Sequence, residues 1–219
     1  MPKKSSTIRL SPTSGLSLFK ECPHCFWQHY NEGIHRPKGP FPSLPGGMDS
    51  VLRDYYAKFK GSLPPEIEGK VEGVLVEDRN MIGKRLYYTD EKLDAQLFGM
   101  LDECLIDGVT HIPLDFKTRR GAPKDGASEQ YYQTQLDTYA LLLSAQGLKI
   151  SDFAYLVYYF PDTVEGKGLF RFHSEIIKVN IDPERARSLF ENAVACLKGS
   201  LPKQHSECAF CGWGNLQHE

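Results

Sequence analysis

Two cysteine pairs constrain this chain more than any other feature. Cys22-Pro23-His24-Cys25 stands near the start and Cys208-Ala209-Phe210-Cys211 near the end of 219 residues. Two residues between ligands let both sulfurs of a pair turn to one point, so each pair has the bite for one metal. Two such pairs complete a tetrahedral sulfur site, suited to zinc or to an iron–sulfur cluster. The bland alternative is two unrelated thiol pairs, or a redox pair. If one metal takes all four sulfurs, the chain must bring its end back to its beginning. Segments 14–30 and 200–215 then form a clasp, and metal-binding energy becomes folding energy. Six cysteines behind an N-terminus without an apolar signal region, MPKKSSTIRLSPTS, predict a reducing compartment, the cytoplasm, and no disulfide framework.

Between those ends, Gly99 to Lys117 (GMLDECLIDGVTHIPLDFK) reads as a β-hairpin with its turn at Asp107-Gly108. The strands are predicted over Gln96–Ile106 and His111–Lys117. Side chains two apart on a strand share a face, so Asp115 and Lys117 project together and Asp102 can come alongside. Two carboxylates and an ammonium at one spot suit a hard cation. Magnesium takes oxygen ligands, keeps several waters and typically uses a carboxylate pair with substrate phosphate oxygens. A lysine there can orient a water or offset charge on a phosphate. A surface hairpin with merely solvated charges is the competing reading.

The flanking sequence supplies helices and further strands. Met48–Phe59 has helical spacing, and Val71–Val76 and Lys84–Thr89 read as short strands. Ser128 is placed to cap a helix over Glu129–Gln146, on which Gln135 and Tyr139 lie one turn apart. Tyr139 could equally be a core aromatic beside Leu136 and Leu143. Phe153–Phe160 and Phe170–Val179 read as a strand pair, followed by a helix from Asp182 or Pro183 to about Lys198. That order fits a central mixed sheet flanked by helices, an α/β (α+β) class, as one domain over 1–219 with its core at about 48–180. The net charge of −2 excludes a global basic field. Arg119, Arg120 and Lys124 instead form a local basic cluster after Lys117, placed for phosphates or simply solvated. No apolar run approaches the ~20 residues of a membrane span.

Gly99-x-x-Asp102, Asp115-Phe116-Lys117 and Gln135-x-x-x-Tyr139, in that order, resemble the PD-(D/E)XK nuclease superfamily. Within it they are most similar to the RecB-like branch, which includes the CRISPR-associated adaptation nucleases. The D-x-K triplet alone is weak; its coupling to the two neighbouring motifs is more specific. The resemblance implies a restriction-endonuclease-like fold and Mg²⁺ or Mn²⁺ held by Asp102, Asp115 and the backbone carbonyl of Phe116. It implies Lys117 as a catalytic residue, with Gln135 and Tyr139 lining the active site. In that branch an early helix supplies a histidine ligand. No histidine stands there in this sequence, and Asp49 takes the corresponding place. The implied activity is metal-dependent hydrolysis of DNA phosphodiester bonds in repair, recombination or defence, with Arg119, Arg120 and Lys124 on the backbone phosphates. The missing histidine motivates a second expectation, a non-catalytic nucleic-acid-binding scaffold with a structural Cys₄ site. Several RecB-like nucleases hold a [4Fe–4S] cluster with one N-terminal and three C-terminal cysteines. Here the division is two and two, so the analogy leans to a cluster at Cys22, Cys25, Cys208 and Cys211 while the sulfur count serves Zn²⁺ equally.

Overall fold

A computed structural model describes residues 7–37, 39, 43–78 and 81–214, the last three by backbone alone. Its strands are β1 (Ile8–Leu10), β2 (Val74–Leu75), β3 (Leu86–Asp90), β4 (Ala95–Gly99), β5 (Glu103–Asp107), β6 (Thr110–Thr118), β7 (Lys149–Ile150), β8 (Phe153–Gly166) and β9 (Leu169–Asn180). Its helices are α1 (Leu18–Glu21), α2 (Pro23–Trp27), α3 (Ser43–Tyr56), α4 (Ala127–Ser144), α5 (Pro183–Lys198) and α6 (Ala209–Gly214). The larger sheet runs β2-β5-β6-β8-β9, with β7 added to β6. It is mixed: β8 and β7 run parallel to β6, and the other neighbours are antiparallel. Parallel β6 and β8 need a crossover, and α4 supplies it. A smaller sheet pairs β3 and β4 antiparallel and adds β1 parallel to β4.

Both faces of the larger sheet are covered along the first half of β8, which is why residues 153–160 read as an unbroken apolar run while 161–166 extend into solvent. Ala154, Leu156 and Tyr158 pack with Leu136, Tyr139, Ala140 and Leu143 of α4. Tyr155, Val157 and Tyr159 turn to the other face, against Leu52 and Tyr56 of α3. The smaller sheet closes on α5: Leu10 and Leu97 pack with Phe190 and Val194, and Phe26 of α2 joins them. Among the described residues, no helix is long and apolar enough to cross a membrane.

Four local expectations change. The strand predicted over Gln96–Ile106 is two strands, β4 in the smaller sheet and β5 in the larger, with Asp102 in the break between them. Gly99 lies where they part: a Cβ there would meet Leu142 Cδ1 at 2.8 Å, so α4 crosses close over it. The hairpin loop is Gly108-Val109, with Asp107 and Thr110 already paired and Gly108 at φ +57°. Ser128 does not cap α4, because Gly126 holds that position, and the Ser128 hydroxyl instead meets the Tyr158 hydroxyl at 2.8 Å. Finally, α3 starts at Ser43, which puts Asp49 in its second turn, away from the N-terminal dipole.

Candidate active site and cysteine centre

Leu114 and Phe116 of β6 point into the α3 side of the core, so the pleat sends Asp115 and Lys117 under α4. Asp115 is fully buried there. The α4 spacing brings Gln135 and Tyr139 down onto it. Gln135 Nε2 donates to Asp115 Oδ1 at 3.0 Å and to the Tyr139 hydroxyl at 2.6 Å, and Lys117 Nζ donates to Gln135 Oε1 at 3.1 Å. Lys117 also forms an ion pair with Asp115 Oδ2. Asp102 arrives from the break after β4, where its Oδ2 accepts a long bond from the Phe116 amide at 3.4 Å. Thus the structure gathers Asp102, Asp115, Lys117, Gln135 and Tyr139 in one place. Asp49 reaches the group only through Arg53, which donates to Asp49 Oδ2 at 2.9 Å and forms an ion pair with Asp102.

Arg53 is a member that reading the sequence missed; its spacing of four from Asp49 on a helix was the available signal. Tyr132 is another neighbour, with Lys117 Nζ 4.6 Å from its ring centre. Glu103 points to the other face, where it is buried and ion-paired with Lys60. The basic cluster is only loosely attached to this group. Arg119 lies over the Tyr158 ring at 5.7 Å, while Arg120 and Lys124 are exposed in the β6–α4 loop.

The second assembly joins the ends of the chain. The sulfurs of Cys22, Cys25, Cys208 and Cys211 all lie within 4.8 Å of one another, with Cys22–Cys211 at 3.4 Å, Cys25–Cys208 at 3.7 Å and Cys25–Cys211 at 3.8 Å. They are free thiols. Hydrogen bonds stitch the surrounding backbone: Trp27 Nε1 donates to Gly199 O and Asn31 Nδ2 to Leu197 O, both at 3.0 Å, and His24 Nδ1 meets Pro202 O at 2.7 Å. Four sulfurs so close, three of them buried, fit a metal site.

A family profile for the PD-(D/E)XK nuclease superfamily matches residues 52–216. The chain belongs to this nuclease superfamily. The match takes in Asp102, Asp115, Lys117, Gln135, Tyr139 and the C-terminal cysteine pair, and begins three residues after Asp49. A solved chain described as "Crystal structure of SSO0001" is similar at 19% identity, covering 99% of this chain and 88% of that one, with a TM-score of 0.43. No curated protein sequence matches well enough to serve as a relative.

A nuclease of this superfamily acts on nucleic acid and generally uses divalent metal, so the carboxylate group must be tested against a hard cation. Burial, and then the neighbouring Asp115, push Asp102 up to about 7 against the pull of Arg53. Burial alone would lower the Lys117 pKa, but the charge of Asp115 outweighs it and the ammonium form is favoured. Tyr139 is held well above the usual phenol range by burial and then by Asp115. Asp115 Oδ2 is buried with the Lys117 ammonium as its partner. Two buried carboxylates brought together, one reluctant to ionise, make an oxygen donor set that fits Mg²⁺ or Mn²⁺.

Proposed function

We propose that this protein is a Mg²⁺- or Mn²⁺-dependent deoxyribonuclease that hydrolyses phosphodiester bonds, acting in DNA repair, recombination or defence within a reducing cell interior. The observation that carries this is the convergence of Asp102, Asp115 and Lys117 beneath Gln135 and Tyr139. Asp102, Asp115 and the Phe116 carbonyl would hold the cation, with Asp49 as a further acid beyond Arg53. When bound, the cation lowers the pKa of a water and stabilises charge on the scissile phosphate. Lys117, favoured as an ammonium, is a poor proton acceptor. Its task is to orient the attacking water by donation and to offset negative charge on the phosphate. Gln135 fixes Lys117 through its carbonyl and Asp115 through its amide, so one side chain sets the direction of both. Tyr139, held neutral, keeps its hydroxyl proton for donation. Arg119, Arg120 and Lys124, which follow Lys117 in the chain, would hold backbone phosphates.

Purified protein is expected to degrade single- or double-stranded DNA with Mn²⁺ or Mg²⁺, and Lys117→Ala to lose at least ~100-fold in rate, the scale of one removed charge-stabilising donor. Equal inertness of wild type and Lys117→Ala on every DNA and RNA form would overturn this reading. A second reading rests on Arg53, which already engages Asp102 with a cation: the fold would then serve as a nucleic-acid-binding scaffold. Calorimetry separates the two, since a scaffold shows no Mn²⁺ binding that depends on Asp102 and Asp115.

A further inference from the structure

The four-cysteine centre offers more than its sulfur count. Taking it as a metal site, as above, we infer that it holds a single tetrahedral zinc ion in place of the four-iron cluster suggested by the RecB-like analogy. An ion bonded to four thiolates at about 2.3 Å sets neighbouring sulfurs about 3.8 Å apart, the edge of that tetrahedron. The sulfur contacts here are 3.4, 3.7 and 3.8 Å, and no pair among the four exceeds 4.8 Å. A [4Fe–4S] cluster puts four irons between its cysteines, each carrying one thiolate outward, so its cysteine sulfurs must stand farther apart. The space between these sulfurs takes one ion and not a cube of iron and sulfide. A disulfide is not the explanation either, since its sulfurs lie about 2.05 Å apart.

The ligand turns agree with one shared ion. Cys22 precedes α2, and its sulfur accepts the Cys25 amide at 3.5 Å. Cys208 precedes α6, and its carbonyl accepts the Cys211 amide at 3.1 Å. Each pair therefore uses the same local device: the first cysteine stands just before a short helix, and the second is carried about one helical turn on. Two equivalent turns present two ligands each to one point. The one-plus-three division of the analogous clusters has no counterpart here.

The surroundings suit four thiolates around one dication, a centre of net charge −2. Arg36 supplies the offsetting cation. Its Nη2 donates to Cys208 Sγ at 3.4 Å, its Nη1 to Glu21 Oε1 at 2.6 Å, and its guanidinium lies 4.5 Å from the Phe210 ring centre. It thus ties α1, the more exposed sulfur of the set and the C-terminal ligand turn together. Outer partners of this kind commonly tune metal affinity by ~10–100-fold. Zinc is favoured among single ions because thiolates are soft and a filled shell asks for nothing beyond tetrahedral geometry.

The test is elemental analysis, acid-labile sulfide and a visible spectrum on full-length protein made with both zinc and iron supplied and purified without oxygen. One zinc per chain in colourless protein is expected, and exchange into Co²⁺ should give the intense visible spectrum of a tetrahedral thiolate site. About four irons with matching sulfide in brown protein would overturn the inference and leave the metal clasp standing. A single iron would overturn the choice of zinc. No metal in this protein would overturn the clasp itself. Arg36→Ala is expected to speed zinc loss to a chromogenic chelator about tenfold, without changing Mn²⁺ affinity at Asp102 and Asp115; an unchanged rate removes Arg36 from the centre. None of these outcomes depends on nuclease activity.

Discussion

Asp102 is where residue-scale electrostatics can be read most directly. Its ordinary pKa of 3.8 rises to about 7 in the fold, through burial and then the charge of Asp115. Between those values the folded chain keeps a proton that the unfolded chain has lost. The unfolded state therefore binds fewer protons, and this group makes metal-free protein less stable as pH climbs from about 4 to about 7, by roughly 4 kcal/mol at most. Other carboxylates titrate in the same range, so the observable is the difference between wild type and Asp102→Asn in denaturant midpoints measured with chelator. That difference should grow in favour of Asp102→Asn up to about pH 7 and then stay level. A divalent ion must displace the same proton, so Mn²⁺ affinity should rise toward tenfold per pH unit below 7 and flatten above it. Arg53 makes the complementary prediction. It already serves Asp102 as a counter-cation, and an incoming ion has to displace or share it. Arg53→Ala should bind Mn²⁺ about tenfold more tightly while its metal-free form loses about 2 kcal/mol. Titration calorimetry beside a urea melt checks both; weaker Mn²⁺ binding would mean that Arg53 helps to build the cation site.

At the scale of elements, α4 does two jobs on two sides. One side carries Gln135 and Tyr139 to Asp115. The other carries Asp137, only 2% exposed, which accepts from Arg185 Nε at 2.6 Å, Arg185 Nη2 at 2.8 Å, the Asp182 amide at 2.9 Å and Gln133 Nε2 at 2.9 Å. This carboxylate locks α4 to the start of α5. Asp137→Ala leaves those donors unpaired and should cost about 3 kcal/mol, read as a lower urea midpoint at constant slope, with Mn²⁺ affinity unchanged. The same helix shows what the sequence could and could not tell. Its period put Gln135 and Tyr139 on one face because helical geometry depends on local spacing alone. Ser128 looked like a cap by residue type, but Gly126 reaches the left-handed conformation at φ +71° and releases the hydroxyl to Tyr158. The strand before Asp102 looked continuous because alternation is the same in either sheet. The parting of β4 from β5 comes from the crossing of α4 over Gly99, 43 positions before Leu142. β1 is three residues long, too short to show any period, and it exists because β4 offers it an edge. Arg53 was hidden for the related reason that its partner Asp102 is 49 positions away.

Across the whole molecule, the question is how much the cysteine clasp holds and how much packing holds without it. A link between Cys25 and Cys208 closes a loop of 183 positions, and a covalent cross-link over such a span constrains the unfolded chain by roughly 5 kcal/mol. Domains as a class have about 5–15 kcal/mol to lose. The ends also hold each other without metal, through Phe26 packed with Phe190 and Val194 and through the Trp27, Asn31 and His24 bonds to 197–202. Chelation should therefore weaken the chain without unfolding it, lowering the melting temperature by roughly 10–20 °C at about 2–4 °C per kcal/mol. The loss should be local first. Residues 201–207 run mostly exposed from α5 to Cys208, and α6 is six residues long, too short to persist without its ligands. Trypsin should cut chelated protein at Lys203 while the part through α5 resists, and metal-loaded protein should resist at both. Cleavage at Lys203 at equal rates in the two forms would show that packing alone holds the C-terminal turn, and that the metal contributes little to the fold around the carboxylates.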